Sequence, residues 1–253
     1  MNKETITFIG NGNMALSIAQ GLKETFNIEV VGRETSKLDK FEKELGVKIE
    51  KNSYESFDMN DKKVILCVKP ANIQEVGVRL NGTAKELYSV LAGTTLEMLK
   101  ENIKAKSTVR VMPNLCASVG ESMTTLTGDI KLKEKSCKLF ESIGDTLWLD
   151  SEKQIDIATA LAGSGPAYLA LIHESLCDGA VKQGMKRDDA IKVANGLFKG
   201  FGKLIVNTHP AILKDGVMSP GGTTAAGYAA LEKGNVRSSC IDAVEKAYQV
   251  TQK

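Results

Sequence analysis

Two glycine-rich turns at opposite ends of the chain hold the residues best suited to chemistry. One is Ser219-Pro220-Gly221-Gly222-Thr223-Thr224, followed at once by a helical run from Ala225 to Lys233. A proline turn and two glycines ahead of a helix leave backbone N–H groups uncovered. Helix starts carry unpaired donors and a partial positive charge, so this turn is built to hold an anion. The other is Gly10-Asn11-Gly12-Asn13-Met14-Ala15, placed after the β-rich run Thr5–Ile9 and before a helical pattern from Met14 to Phe26. Strand, glycine turn and helix in this order predict a dinucleotide site. Gly10 makes the tight turn, Gly12 lets a pyrophosphate approach the backbone, and Ala15 permits close helix–strand packing. Together the two turns imply a cofactor site and a site for a small acid.

The end of the second strand selects the cofactor. An acid there holds the ribose hydroxyls of NAD, whereas a cation accommodates the 2′-phosphate of NADP. Here the strand ends Val31-Gly32-Arg33, with Thr35, Ser36 and Lys37 close by. The expected cofactor is therefore NADPH, with NADH the alternative because Glu34 adjoins Arg33. Lys69-Pro70 directly follows a continuous apolar run, Val64–Val68, and so falls at the carboxyl edge of the sheet. Ala92-Gly93-Thr94 occupies the equivalent edge after the next strand. Its small residues leave room for a nicotinamide ring.

These turns need a scaffold, and the hydrophobic pattern supplies one. Strands are expected at Thr5–Ile9, Ile28–Val31, Val47–Ile49, Val64–Val68, Leu87–Leu91, Val109–Met112, Thr124–Leu126 and Leu147–Leu149. Helical spacing falls between them, as at Glu34–Leu45, Ile73–Leu80, Leu96–Ile103 and Leu132–Ile143. Alternation of this kind predicts an α/β, Rossmann-like doubly wound sheet. From Lys153 onward strand signals vanish. Helices are expected over Ala167–Gly184, Asp188–Ile205, Thr224–Lys233 and Arg237–Gln249. The chain thus reads as a dinucleotide-binding domain over 1–152 and an all-α domain over 153–253. The small and apolar residues of the second half (Ala160, Ala162, Ala167, Ala170, Ala180, Ala190 and Ala194) predict a dimerisation domain.

Composition excludes several alternatives. The formal net charge is +2 and the charged residues are interspersed, so no basic stripe points to nucleic acid. Five cysteines without a CxxC pair and two histidines without paired spacing give no metal or disulfide framework. The start lacks a signal-peptide pattern and no long apolar run is read as a membrane span, so the protein is expected in the cytoplasm. His173 is expected to be a satisfied core or interface histidine, His209 a turn residue before Pro210, and Tyr168 a packing residue as readily as a chemical one.

The chain resembles the pyrroline-5-carboxylate reductases, NAD(P)H-dependent enzymes that complete proline biosynthesis. The resemblance is carried by Phe8-Ile9-Gly10-Asn11-Gly12-Asn13-Met14, Cys67-Val68-Lys69-Pro70, Arg110-Val111-Met112-Pro113-Asn114 and Gly163-Ser164-Gly165-Pro166-Ala167-Tyr168. To these are added His209-Pro210 with Leu213-Lys214-Asp215, and the run Ser219–Thr224. It implies a cofactor site formed by Ile9, Gly10, Asn11, Gly12, Asn13, Met14, Arg33, Asn52, Cys67, Val68, Lys69, Pro70, Ala92 and Gly93, with Asn52 toward the adenosine. It implies that Ser219, Gly221, Gly222, Thr223 and Thr224 hold the carboxylate of 1-pyrroline-5-carboxylate at the interface of a homodimer or higher homo-oligomer, with Thr224 beside the ring nitrogen. Leu115-Cys116 stands where the family has Thr-Pro, and Ala162 where it has a serine. A protonated cyclic imine accepts hydride readily, so positioning suffices and few acid–base groups are required. A hydroxyisobutyrate-type dehydrogenase would carry a lysine where this chain has Leu169. A non-catalytic NADP-binding protein would need the first turn but not the second.

Overall fold

A computed structural model describes residues 3–252. The chain begins β1 (Thr5–Ile9), α1 (Asn13–Leu22), β2 (Asn27–Val31), α2 (Thr35–Leu45), β3 (Glu50–Asn52) and β4 (Lys63–Leu66). There follow α3 (Ile73–Gly77), β5 (Glu86–Ser89), α4 (Leu96–Asn102), β6 (Thr108–Met112), β7 (Ser122–Gly128), α5 (Lys133–Phe140) and β8 (Gly144–Trp148). The helical part comprises α6 (Glu152–Ala158), α7 (Gly165–Lys182), α8 (Arg187–Ile205), α9 (Pro210–Val217), α10 (Thr223–Lys233) and α11 (Val236–Thr251). The chain divides into two compact units, residues 1–164 with 247–253, and residues 165–246.

The first unit is built on one eight-stranded sheet of order β3-β2-β1-β4-β5-β6-β7-β8. Strand alternation sends neighbouring side chains into different cores. Ile65 packs with Ile6, Phe8, Ile18 and Phe140 on one face. Val64 and Leu66, flanking it, pack with Ile9, Ile73, Val76 and Leu99 on the other. Burial on both faces explains the continuous apolar run of β4. All pairings are parallel except that of β6 with β7, which run antiparallel with Val111 opposite Leu126. The connection there is too short for a crossover helix. It is a single 3₁₀ segment, Leu115–Val119.

One strand lies away from its expected position. The pattern placed it at Val47–Ile49, but β3 spans Glu50–Asn52, with Asn52 level with Val31 of β2. Ile49 is buried in the core just ahead of the strand, while β3 is a polar edge strand that carries no apolar signal.

The second unit has little core of its own. Its buried apolar residues are Cys177, Ala190 and Ala194, at the contact of α7 with α8. Leu171, Val193, Leu197, Phe201 and Leu204 remain exposed. A groove of about 890 Å³ opens among Leu197, Phe201, Leu204, Leu213, Val217 and Tyr228. Burying a leucine or phenylalanine contributes about 1.5–3 kcal/mol, so these faces require a partner surface. One stretch, Glu152–Lys182, does reach the length and mean hydropathy (1.4) of a membrane span, contrary to the sequence expectation. It is not one regular apolar rod. A π-helical turn at Thr159–Gly163 interrupts it, followed by Ser164-Gly165-Pro166.

Candidate active site

The first glycine turn lies at the carboxyl edge of the sheet, between the ends of β1, β2 and β4. Gly10 N–H donates to the Val31 carbonyl at 2.9 Å, and Cys67 N–H donates to the Ile9 carbonyl at 2.8 Å. Gly10 has φ +106°, and a Cβ there would stand 2.7 Å from the Cys67 carbonyl oxygen. Only glycine fits this crossing. Gly12 is different: a Cβ would meet no protein atom, so packing within the chain does not explain the glycine. Gly12 is the N-cap of α1, no side chain caps that helix, and its first turn carries no acid. The α4 and α6 helices are capped by Thr95 and Ser151, whose hydroxyls accept from Met98 N–H and Gln154 N–H. The bare, electropositive start of α1 fits a pyrophosphate. Exposed Asn13 and half-buried Met14 begin the helix, and Ala15 is fully buried against the sheet.

Around this turn the structure gathers most of the expected cofactor residues. The Asn11 side chain lies against Gly32, with its Oδ1 3.6 Å from where a Cβ on Gly32 would stand. Arg33 follows, exposed, with Nη1 3.3 Å from Glu75 Oε1 of α3. Arg79 shares that carboxylate oxygen at 3.4 Å, reaches Glu55 Oε1 at 2.7 Å, and lies over the buried Tyr54 ring at 5.6 Å. Burial pushes the Tyr54 phenol up, and the neighbouring arginines oppose that shift. Asn52 donates through Nδ2 to Glu29 Oε1 at 2.9 Å. Glu29 is itself buried, accepting from Thr7 and from Lys62 Nζ at 2.8 and 2.9 Å. Cys67 and Val68 are half-buried, and burial raises the Cys67 thiol well above its ordinary range, so it stays neutral. Lys69 is exposed and precedes a 3₁₀ turn opened by Pro70. Ala92 and Gly93 are exposed, and Gly93 (φ +65°) lies near Thr251, 3.6 Å from its would-be Cβ to the carbonyl oxygen.

The motif residues Arg110 and Asn114 are structural. Arg110, fully buried on β6, donates to Glu152 Oε1 at 2.9 Å and Asp156 Oδ1 at 2.6 Å. Asn114 donates through Nδ2 to the Ala162 carbonyl at 3.0 Å, and its Oδ1 accepts from Cys116 N–H at 2.9 Å. A proline at 116 could not donate that bond.

In the second unit, the Ser219–Thr224 turn is a matching helix start. Gly221 has φ +71°, and Gly222 N–H donates to the Ser219 carbonyl at 3.0 Å. Gly222 is the N-cap of α10, with no side-chain cap and no acid in the first turn. Thr223 and Thr224 are exposed, and neither hydroxyl caps the helix. N-capping therefore does not explain these threonines, whereas a ligand acceptor would use them. His173 Nε2 lies 2.9 Å from Asn195 Oδ1, and its ring meets Phe198 edge-on at 5.1 Å, so it is satisfied. His209 is an N-cap, accepting from Ala211 N–H at 3.3 Å. Tyr168 donates to the Ala243 carbonyl at 3.5 Å. Tyr54, Glu75 and Arg79 carry no local signal in the sequence: Tyr54 follows β3, Glu75 lies on α3 and Arg79 just beyond it, and only the fold brings them to Arg33.

A glycine turn at the carboxyl edge of a doubly wound sheet, coupled in one chain to helices that expose their apolar faces, defines an NAD(P)-dependent oxidoreductase with a helical dimerisation domain. Residues 5–93 match the family model described as NADP oxidoreductase, coenzyme F420-dependent, and residues 152–253 match pyrroline-5-carboxylate reductase dimerisation. A pyrroline-5-carboxylate reductase of Arabidopsis thaliana is 37% identical over 257 residues, covering 96% of this chain and 92% of its own. The structure of 1-pyrroline-5-carboxylate reductase from Streptococcus pyogenes superposes with a TM-score of 0.89 at 29% identity, covering 100% of this chain and 99% of its own. That of the Plasmodium falciparum pyrroline carboxylate reductase with NADP bound gives 0.85 at 26% identity, covering 100% and 98%. The chain belongs to the pyrroline-5-carboxylate reductase family.

Proposed function

We propose that this chain reduces 1-pyrroline-5-carboxylate to proline with NADPH, NADH being the weaker donor. The observation that carries the reading is the start of α10, an uncapped helix N-terminus bearing two threonines with no capping duty. Its free N–H groups and the hydroxyls of Ser219 and Thr223 suit one carboxylate. Gly221 and Gly222 leave the backbone bare for its approach. Thr224 lies one residue further into the helix, where its hydroxyl relays a hydrogen bond at the ring nitrogen, accepting from the protonated imine and donating to the amine lone pair that hydride transfer creates. When bound, the dihydronicotinamide would supply a hydride to the imine carbon. The residues that would hold this cofactor are Ile9–Met14, Arg33, Asn52, Cys67–Pro70, Ala92 and Gly93. The imine is basic enough to take its proton from solvent, which agrees with the scarcity of acid–base groups around the turn. Residues 1–152 serve the cofactor, and residues 153–253 serve substrate and dimerisation, in the cytoplasm. The test is NADPH consumption with 1-pyrroline-5-carboxylate. Stoichiometric formation of proline is expected. No turnover, or turnover with a hydroxy acid and NADP⁺ instead, would refute the assignment.

A further inference from the structure

The cation chosen for the 2′-phosphate is already engaged by an acid. Arg33 and Arg79 converge on a single oxygen of Glu75, at 3.3 and 3.4 Å. Arg79 also holds Glu55 at 2.7 Å and rests over the Tyr54 ring. The other acid beside Arg33, Glu34, is paired with Lys37 at 2.7 Å. Glu75 thus bridges two guanidinium groups, beside Tyr54 and at the carboxyl edge of β2 that Asn11 and Gly32 join to the first glycine turn.

We propose that Glu75 sets the cofactor preference of this enzyme, by competing with the 2′-phosphate of NADPH for Arg33 and Arg79. The inference rests on the reading of Arg33 as the 2′-phosphate contact. A phosphate monoester carries about −1.5 to −2 charges at neutral pH and prefers the same guanidinium forks that a carboxylate occupies. Both Glu75 contacts are long and their side chains are close to half exposed, so they open at little cost. Glu75 nevertheless leaves a negative charge within a few ångströms of the incoming phosphate. NADH, which ends in a hydroxyl there, meets no such repulsion. Glu75 therefore narrows the gap between the two cofactors, while its oxygen keeps the arginines aligned.

Glu75→Gln separates these effects, because the amide keeps an acceptor for both arginines and loses the charge. The probes are adenosine 2′,5′-bisphosphate and 5′-AMP, titrated by calorimetry against the full-length protein without turnover. In Glu75→Gln the bisphosphate should bind roughly 3- to 10-fold more tightly and 5′-AMP within about twofold of wild type, the bisphosphate gain shrinking at high salt. The KM for NADPH should fall relative to that for NADH. Unchanged or weaker bisphosphate binding, or equal shifts for both ligands, would overturn the role of Glu75. Arg33→Ala is the control for the underlying reading. It should abolish most of the preference for the bisphosphate over 5′-AMP. An Arg33→Ala protein that binds both ligands like wild type would overturn the 2′-phosphate assignment itself.

Discussion

Thr224 is the side chain with the most direct chemical assignment. Its hydroxyl is exposed beside an uncapped helix start and makes no cap of its own. Losing one neutral hydrogen bond costs about 1–3 kcal/mol, so Thr224→Ala should lower kcat/KM by roughly 10- to 100-fold. Steady-state kinetics check this, and unchanged kinetics would remove Thr224 from the chemistry. Glycine turns are legible in sequence because a left-handed φ or a close crossing restricts the residue type, as Gly10 illustrates against the Cys67 carbonyl. The Glu75–Arg33–Arg79 group is not legible in the same way. Arg33 lies two residues past β2 and Glu75 on α3, and only folding brings them together. Surface acids and bases are common in any sequence, so no local pattern distinguishes this pair.

At the scale of elements, apolar runs announced the central strands, and the polar edge strand β3 escaped. The short α9, which opens at Pro210 behind its N-cap His209 and buries no residue, also went unread. The strand at β7 was expected at Thr124–Leu126, but its antiparallel direction went unread, because direction depends on the connection rather than the strand's own pattern. The junction of β6 with α6 is fixed by Arg110, whose guanidinium is buried between Glu152 and Asp156. Removing one partner of a buried ion pair typically costs about 3–5 kcal/mol, because a desolvated charge is left behind. Glu152 would still hold one arm of Arg110, so Asp156→Ala should destabilise by about 3 kcal/mol. Denaturant unfolding of the full-length protein measures this. A loss below about 1 kcal/mol would mean that the pair is not sequestered from water.

The whole molecule combines a unit with two well-filled cores and a helical unit that buries three apolar residues. The second unit's composition signalled a missing surface, since alanine-rich helices with leucines on several faces cannot satisfy themselves. Exposed Leu197, Phe201 and Leu204 beside the groove make the same point in the structure. The protein should sediment as a dimer or larger assembly at micromolar concentration, and a monomer there would contradict the role given to 153–253. The central claim is that the Ser219–Thr224 turn is the carboxylate clamp of an imine reductase. The most direct measurement compares kcat/KM for 1-pyrroline-5-carboxylate and for 1-pyrroline, the same ring without its carboxylate, at one NADPH concentration. Charge-assisted hydrogen bonds contribute about 1.5–3 kcal/mol each, so the carboxylate should be worth at least roughly 10-fold, and more where two donors act together. Equal rates for the two rings, or no NADPH consumption with either, would contradict it.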